Sequence, residues 1–251
     1  MNVLRGRAST RRADREVTAR MLARADEKSV SSVRVWTPHR LIAFGRRDAN
    51  APGYKRAAAL ATARGFDPVD RSVGGRAVAY TGRTVSFAVA IPSANPRIGI
   101  EDRYETASHA VREALSDLGA DVSDGEPASA FCPGDHSVRV SGGGKIAGLA
   151  QRVRADSALV AGCLIVSTDD AAEIAKVLAP IYDVLDVPFD PTAVGSVSDA
   201  GGPDDPELVG RHLENALAAA TWDGDGSTAD GDVPTDGRER RIEFVGGEET
   251  R

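Results

Sequence analysis

Three strand-like segments in the second half of the chain constrain its fold more than any other feature. Residues 137–140, 146–153 and 158–166 are short apolar runs, and three consecutive glycines at 142–144 separate the first two. Short runs of this kind, joined by tight turns, predict an antiparallel meander. A sheet of this kind buries at least one apolar face, so the rest of the chain is expected to supply the helices that cover it.

The remaining segments supply both helices and further strands. Helical spacing of apolar side chains, or alanine-rich composition, predicts helices at residues 12–25, 54–64, 102–119, 169–178 and 206–220. Asp205 and Pro206 are the residue types of an N-cap and a first helical position. Strand-like segments lie at residues 33–37, 40–45 and 84–92. The predicted class is therefore α+β, with helices flanking one mainly antiparallel central sheet.

Composition divides the chain into a folded part and a tail. Its 251 residues are enough for one sizeable core, and we expect residues 1–220 to form it. Residues 221–251 are acidic and glycine-rich and contain few apolar side chains, so they are predicted to be a disordered tail. Residues 241–245 could dock as an edge strand, but a loose terminus is the favoured interpretation.

Composition also excludes several classes of function. No apolar run approaches the length needed to cross a bilayer and the N-terminus has no secretory hydrophobic region, so a cytoplasmic protein without membrane contact is expected. The net charge is −6 and the basic excess lies in the first 34 residues, which gives no footprint for nucleic acid. Two cysteines are too few for a disulfide scaffold, so each is considered as a free thiol.

Three glycine-containing segments place polar or reactive side chains where the backbone can approach a ligand closely. They are Arg71-Ser-Val-Gly-Gly-Arg-Ala-Val-Ala-Tyr, Phe131-Cys-Pro-Gly-Asp and Gly144-Lys-Ile-Ala-Gly-Leu-Ala-Gln-Arg. Cys132 precedes Pro-Gly, which predicts an extended and exposed turn, the setting that a nucleophilic thiol requires. Cys163, in contrast, lies in an apolar strand and is interpreted as structural.

Lys145 and His136 are the two candidate partners for Cys132. The chain has four lysines beside 27 arginines, which weakens the interpretation of Lys145 as an ordinary surface charge. His136 could act as the base of a Cys–His pair, but we rank it below Lys145. The sequence contains no Walker loop, no histidine pair at metal-binding spacing and no Gly-x-Ser-x-Gly elbow, and no metal site is predicted.

Two of these segments and an early strand pair resemble motifs of one known superfamily. Arg71-Ser-Val-Gly-Gly-Arg-Ala-Val and Gly143-Gly-Lys-Ile-Ala-Gly-Leu-Ala-Gln-Arg are similar to motifs of the lipoate-protein ligases and octanoyltransferases, and Trp36 with Phe44-Gly-Arg resembles their early strand pair. One difference is Arg76, which stands where that superfamily has glycine or an aliphatic residue. The likeness covers residues 10–220 and implies the fold of a biotin/lipoate protein ligase catalytic domain, with residues 1–220 as a lipoyl/octanoyl transferase-type catalytic domain.

Cys132-Pro-Gly resembles the corresponding segment of the cysteine-dependent octanoyl transferases, especially their amidotransferase branch. The resemblance implies that Cys132 forms an acyl-enzyme and that Lys145 holds the acyl carbonyl and stabilises the oxyanion. It also implies a set of substrate-binding residues, with Phe87 as a further wall of the acyl tunnel. The substrate-binding set is Arg71, Gly74, Gly75, Ala77, Val78, Gly148 and Gln151.

The implied function is transfer of an octanoyl or lipoyl group to a lysine of a lipoyl-domain carrier protein. The acceptor would be a glycine cleavage H-like protein or the E2 subunit of a 2-oxoacid dehydrogenase, the donor an octanoyl carrier, and no cofactor would be needed. The alternative is an ATP-dependent lipoate-protein ligase using ATP and Mg²⁺, with a partner subunit. A non-catalytic relative that binds the carrier protein is a third hypothesis. Biotin ligase is disfavoured because its Gly-Arg-Gly-Arg adenylate loop is missing.

Overall fold

The computed structural model describes residues 1–71, 75–222 and 241–245. Eleven strands are described in this part of the chain, and they fall into two sheets. The strands are β1 (Asn2–Arg5), β2 (Ser32–Trp36), β3 (Leu41–Phe44), β4 (Asp67–Asp70), β5 (Val78–Tyr80), β6 (Val85–Pro92), β7 (Val122–Asp124), β8 (Ser137–Val140), β9 (Lys145–Val153), β10 (Ser157–Leu164) and β11 (Ile242–Phe244).

Six α-helices and a short 3₁₀ turn connect these strands within the described residues. The helices are α1 (Arg11–Lys28), α2 (Arg46–Ala49), α3 (Tyr54–Ala63), α4 (Ile100–Ser116), α5 (Thr168–Val184) and α6 (Pro206–Ala219). The Asp205 carboxylate caps α6 by accepting from the amides of Glu207 and Leu208, as the sequence predicts. None of the helices among the described residues is long and apolar enough to cross a membrane.

The central sheet has eight strands in the order β11-β1-β2-β6-β10-β9-β8-β7. Strands β8, β9 and β10 form the predicted antiparallel meander, and β10 continues antiparallel to β6. Only the pairs of β1 with β2 and with β11 are parallel among the described strands of this sheet. The α+β class with a mainly antiparallel central sheet is therefore confirmed.

A second sheet of three short strands, in the order β4-β3-β5, stands apart from the central one. Strand β3 pairs parallel with β4 and antiparallel with β5. Helices α3 and α5 pack on this sheet through a shared apolar cluster that includes Phe44, Ala61 and Ile174. The sequence analysis predicted a single sheet, so this small sheet was not anticipated.

The two faces of the central sheet are covered by different elements. Helices α4 and α6 bury one face through a cluster that includes Val111, Leu115 and Leu213. Helix α1 covers part of the other face, where Met21 and Val17 pack on the small residues of β6. Because α1 and the small sheet share this second face, a space remains between them above the middle of β9 and β10.

The last described segment is a strand rather than a loose terminus. Residues Ile242–Phe244 pair in parallel with β1, and the Val3 amide donates to the Arg241 carbonyl at 2.9 Å. The favoured interpretation of this segment was therefore wrong, because edge hydrogen bonds hold a stretch with little apolar burial: Phe244 remains 74% exposed. The rest of the predicted tail, residues 223–240 and 246–251, and the predicted site residue Gly74 lie outside the described residues.

Candidate active site

The space between the small sheet, α1 and the central sheet is a cavity of about 1090 Å³. The sequence-predicted residues that line it are Cys132, Lys145, Arg71, Val78, Gly148 and Gln151. Its floor includes Leu159, Ala161 and Cys163, the alternate residues of β10 that face away from α4 and α6. The cavity thus gathers residues from three sequence motifs that are up to 80 positions apart.

Cys132 lies in the loop before β8, with its sulfur between two hydrogen-bond donors. Arg71 Nη2 lies 3.3 Å from the Cys132 Sγ atom, and the backbone N–H of Arg76 donates to the same sulfur at 3.4 Å. A guanidinium N–H and a backbone N–H are thus both directed at the sulfur, where they can stabilise negative charge that develops on it during a reaction. Cys132 is partly exposed, so the sulfur is available to a ligand in the cavity.

The backbone of Cys132 has a left-handed conformation, with φ of +42°. A non-glycine residue in this region carries a conformational cost of ~1–2 kcal/mol, which neighbouring contacts have to offset. The Tyr182 hydroxyl supplies one such contact, because it accepts from the Cys132 amide at 2.7 Å and donates to the Ala77 carbonyl at 2.9 Å. The predicted extended turn is therefore wrong in conformation, although the thiol does reach the site.

Lys145 fixes the same loop from the opposite side. Its side chain is 1% exposed, and its Nζ lies 3.0 Å from the Cys132 carbonyl and 3.2 Å from the Phe131 carbonyl. The same ammonium pairs with Glu126 at 2.9 Å. The β8–β9 register alone does not bring Lys145 to Cys132, and these carbonyl contacts explain how the loop folds inward onto the lysine.

Gly148 and Gly75 provide the space that this packing needs. A Cβ atom at Gly148 would lie 3.2 Å from the Lys145 Cε atom. Gly75 has φ of +87°, and a Cβ atom there would lie 2.8 Å from the Cys132 sulfur. Both glycines therefore allow close approach to the Cys132 and Lys145 side chains, whereas the sequence analysis assigned them to substrate.

Gln151 and Ala77 touch the site in a supporting way. The Gln151 side chain donates to the Ile100 carbonyl at 2.6 Å and accepts from Arg103 at 3.0 Å, so it ties β9 to the start of α4. Ala77 is fully buried and contributes the carbonyl that accepts from Tyr182. Neither contact requires a ligand. Gln151 lines the cavity, so its role in substrate binding stays a prediction, whereas Ala77 is not among the residues that line the cavity.

Cys163 and His136 also lie on the cavity wall. Burial raises the pKa of Cys163 to about 12, so this thiol stays protonated at neutral pH. The His136 ring stacks on Tyr104 at 3.6 Å between ring centroids, and its Nε2 lies 3.7 Å from a carboxylate oxygen of Glu101. No bond joins His136 to Cys132 in the described part of the chain, which leaves Lys145 as the closer partner.

Sequence reasoning missed four residues that surround the thiol. Tyr182 and Glu126 hold the cysteine loop and the lysine, and the fully buried Asp48 accepts from Arg76 Nη1 at 3.0 Å. Tyr182 and Asp48 lie in unremarkable helical sequence, and Glu126 lies in a loop without a motif. Only Arg76 carried a signal, as a charged residue within an otherwise glycine-rich and apolar motif.

The fold around this cavity is that of a lipoate-protein ligase catalytic domain. A crystal structure of lipoate-protein ligase A bound with ATP aligns with a TM-score of 0.65 and 20% identity, covering 86% of this chain and 85% of that one. A bi-partite lipoate protein ligase from Thermoplasma acidophilum aligns with a TM-score of 0.64 and 19% identity, covering 86% of this chain and 82% of that one.

The family follows from a sequence comparison. The model of the lipoyl protein ligase A/B catalytic domain matches residues 14–204, so the chain belongs to this family. The resemblance stated from the motifs is thereby confirmed, and so is the fold that it implied.

Two curated relatives show further similarity. The octanoyl-GcvH:protein N-octanoyltransferase of Geobacillus kaustophilus is 30% identical over 125 residues, which are 50% of this chain and 44% of that protein. The lipoyl-GcvH:protein N-lipoyltransferase of Listeria monocytogenes is 27% identical over 179 residues, which are 67% of this chain and 63% of that protein. The chain thus spans about half the length of the curated relatives it matches.

Proposed function

We propose that the protein transfers an octanoyl or lipoyl group to a lysine of a lipoyl-domain carrier protein, through an acyl-enzyme on Cys132. The observation that carries this proposal is the Cys132 sulfur, which accepts from Arg71 and from the Arg76 amide at the wall of a large cavity. An ATP-dependent ligase makes an acyl-adenylate and does not require a nucleophilic thiol. The names of the curated relatives support the same activity.

The proposed reaction has two steps that exchange one acyl bond for another. The Cys132 thiolate attacks the carbonyl carbon of the acyl donor, and a thioester forms on Cys132 as the donor's thiolate leaves or as its lysine amine leaves with a proton taken from solvent or a nearby acid. The amine of the acceptor lysine then attacks this thioester. The product is an amide, the Cys132 thiolate is released, and the proton lost by the amine passes to solvent or a nearby base.

Lys145 supports this chemistry by charge and by position. Its ammonium contacts the carbonyls of Phe131 and Cys132, so the nucleophile's loop is anchored next to a positive charge. A positive charge beside the backbone of the nucleophile stabilises an oxyanion that forms on the acyl carbonyl. Glu126 partly balances that charge through its ion pair with the lysine.

The apolar wall of the cavity is suited to a medium-length acyl chain. Val78, Ala161 and Phe87 line it, and Gly162 lets the fully buried Phe87 ring pack directly on the β10 backbone, because a Cβ atom there would lie 2.5 Å from that ring. Small residues on β10 therefore leave room beside the sheet for a chain without charged groups.

The proposed carrier proteins are supported by the reaction's chemistry and by the names of the relatives. The acceptor proposed here is a lipoyl-domain protein, either a glycine cleavage H-like protein or the E2 subunit of a 2-oxoacid dehydrogenase. The names of the two curated relatives contain GcvH, and the Thermoplasma acidophilum structure was studied with its E2 lipoyl domain. The transferase reaction uses no cofactor.

The second candidate is an ATP-dependent lipoate-protein ligase that uses ATP and Mg²⁺. The observation that favours it is the fold similarity to a ligase that was crystallised with ATP. A cavity of about 1090 Å³ is also larger than an octanoyl chain requires. The described residues contain no group of three His, Cys, Asp or Glu side chains placed to hold a metal ion.

Intact-mass spectrometry separates these candidates. The protein is mixed with an octanoyl carrier protein or octanoyl-GcvH, with and without ATP and Mg²⁺, and the mass of the chain is followed. A covalent octanoyl adduct that forms without nucleotide, and that Cys132→Ala abolishes, supports the transferase. Modification of a lipoyl domain that occurs only with free lipoate and ATP, and that survives in Cys132→Ala, supports the ligase. Carrier binding without any acyl transfer supports the non-catalytic hypothesis.

A further inference from the structure

Arg76 is the second arginine of the glycine-rich motif at residues 71–80. It contributes to the candidate site through its backbone and through its side chain. Its backbone N–H donates to the Cys132 sulfur at 3.4 Å, while its side chain points away and pairs with Asp48. The neighbouring Gly75 has a positive φ of +87°. Glycine has little intrinsic preference for any one backbone conformation. The direction of the Arg76 N–H therefore depends on the contacts that fix residue 76 in place.

Asp48 is an unusual partner for such a role because it is completely buried. One oxygen of its carboxylate accepts from Arg76 Nη1 at 3.0 Å, and the other has no hydrogen-bond partner among the described residues. Burying a carboxylate is costly unless it is paired, so the Arg76 guanidinium is held to this position by a strong electrostatic restraint. The restraint crosses from α2, behind the small sheet, to the segment that precedes β5.

We propose that Asp48 and the Arg76 side chain are positioning residues, which aim the Arg76 amide at the Cys132 sulfur and at the oxyanion that forms on the attached acyl group. This inference rests on the proposed function, because it assigns a role in the same site. In the acyl-enzyme the carbonyl oxygen is only two bonds away from the Cys132 sulfur. The oxyanion therefore develops close to the N–H groups that contact the sulfur in the free protein. Arg71 Nη2 is the second of these donors.

The test compares variants that keep or remove the ion pair. Arg76→Lys keeps a positive charge for Asp48, and the double variant Asp48→Asn/Arg76→Leu removes both charges. The double variant leaves no unpaired buried charge, so it is expected to fold, and far-ultraviolet circular dichroism checks this. The matched control is Arg5→Leu/Glu214→Gln, which removes a pair of 2.6 Å between β1 and α6, away from the cavity.

Two readouts are measured for each variant. The first is the rate of Cys132 alkylation by iodoacetamide at one fixed pH, quantified on the Cys132 peptide, which reports the reactivity of the thiol without any acyl donor. The second is the single-turnover rate of Cys132 octanoylation. For the double variant we expect alkylation to slow by about tenfold and octanoylation by about 10²-fold. Arg76→Lys is expected to keep most of both rates, and the control variant to match the wild type.

A folded double variant with wild-type rates of alkylation and octanoylation would overturn the positioning role. Alkylation that slows equally in the Arg5→Leu/Glu214→Gln control would also overturn it, since the effect would then come from the loss of any ion pair. Failure of the proposed function gives a different result: the wild type forms no octanoyl adduct, while alkylation still slows in the double variant.

Discussion

The Tyr182 hydroxyl joins the two halves of the site, and Tyr182→Phe removes only that hydroxyl. In the wild type it accepts from the Cys132 amide at 2.7 Å and donates to the Ala77 carbonyl at 2.9 Å. The tyrosine is 1% exposed, so no water replaces the lost oxygen without a rearrangement of the packing. Burial also raises the pKa of Tyr182, which keeps the hydroxyl protonated and able to donate.

The expected magnitude follows from the groups left without partners. A buried donor or acceptor that loses its partner costs about 1–3 kcal/mol, and Tyr182→Phe affects one of each. We therefore expect the free energy of unfolding to fall by about 2–6 kcal/mol. The same bond offsets the left-handed conformation of Cys132, so its loss is expected to release the loop and slow acylation by about 10²-fold, equivalent to ~2.7 kcal/mol.

Denaturant unfolding measures the first effect, and the single-turnover rate of octanoyl-Cys132 formation measures the second. Tyr54→Phe is the matched control, because that tyrosine also loses a hydroxyl bond, to Asp70, but on the protein surface. The control is expected to lose less than about 1 kcal/mol and to acylate normally. An acylation rate for Tyr182→Phe within twofold of the wild type would refute the claim that this hydroxyl orders the nucleophile.

Three further predictions concern the thiols, the lysine and the C-terminal segment. Cys132→Ala is expected to abolish acyl transfer, whereas Cys163→Ala is expected to retain it. Mass mapping after alkylation at pH 8 should find the label on Cys132 alone, because burial raises the pKa of Cys163 to about 12. Equal transfer by both variants would contradict this prediction. Lys145→Arg is expected to reduce the transfer rate by more than about 10²-fold although the charge is kept, because the Lys145 side chain is only 1% exposed and a forked guanidinium does not fit in its place. Near-normal transfer in an octanoyl-donor assay would show that Lys145 is not part of the active site. Truncation after residue 220 is expected to lower the melting temperature by only a few degrees, since Phe244 is 74% exposed; a drop above about 10 °C would place the segment in the core.

The secondary-structure elements that could be predicted from the sequence are those defined by a pattern of neighbouring residues. The β8–β10 meander combines apolar runs with a glycine turn, and α6 has an aspartate cap and a proline at its first position, so both were found. The small sheet was missed because β4 is Asp-Pro-Val-Asp, a sequence with one apolar side chain besides its proline. The parallel pairing of β4 with β3 depends on the crossover through α2 and α3, and the sequence of β4 alone does not predict that crossover.

The site shows the same division between local and distant information. Cys132 and Lys145 could be proposed from the sequence because each lies in a recognisable motif, and both line the same cavity. The conformation of Cys132 was not predictable, because its φ of +42° is held by a tyrosine 50 positions later and a lysine 13 positions later. Long-range contacts of this kind arise from tertiary packing, so the conformational propensities of single residues do not predict them.

Strand β11 also determines which backbone the central sheet offers to other molecules. Without it, the outer amides and carbonyls of β1 would form an open edge that could add a strand from a second protein. Among the described residues, Ile242–Phe244 forms the outer strand on this side of the sheet, three residues long, and its Glu243 pairs with Arg24 at 3.1 Å. A short edge that carries a charge is a poor template for strand addition, so strand β11 protects this side of the sheet against edge-to-edge aggregation.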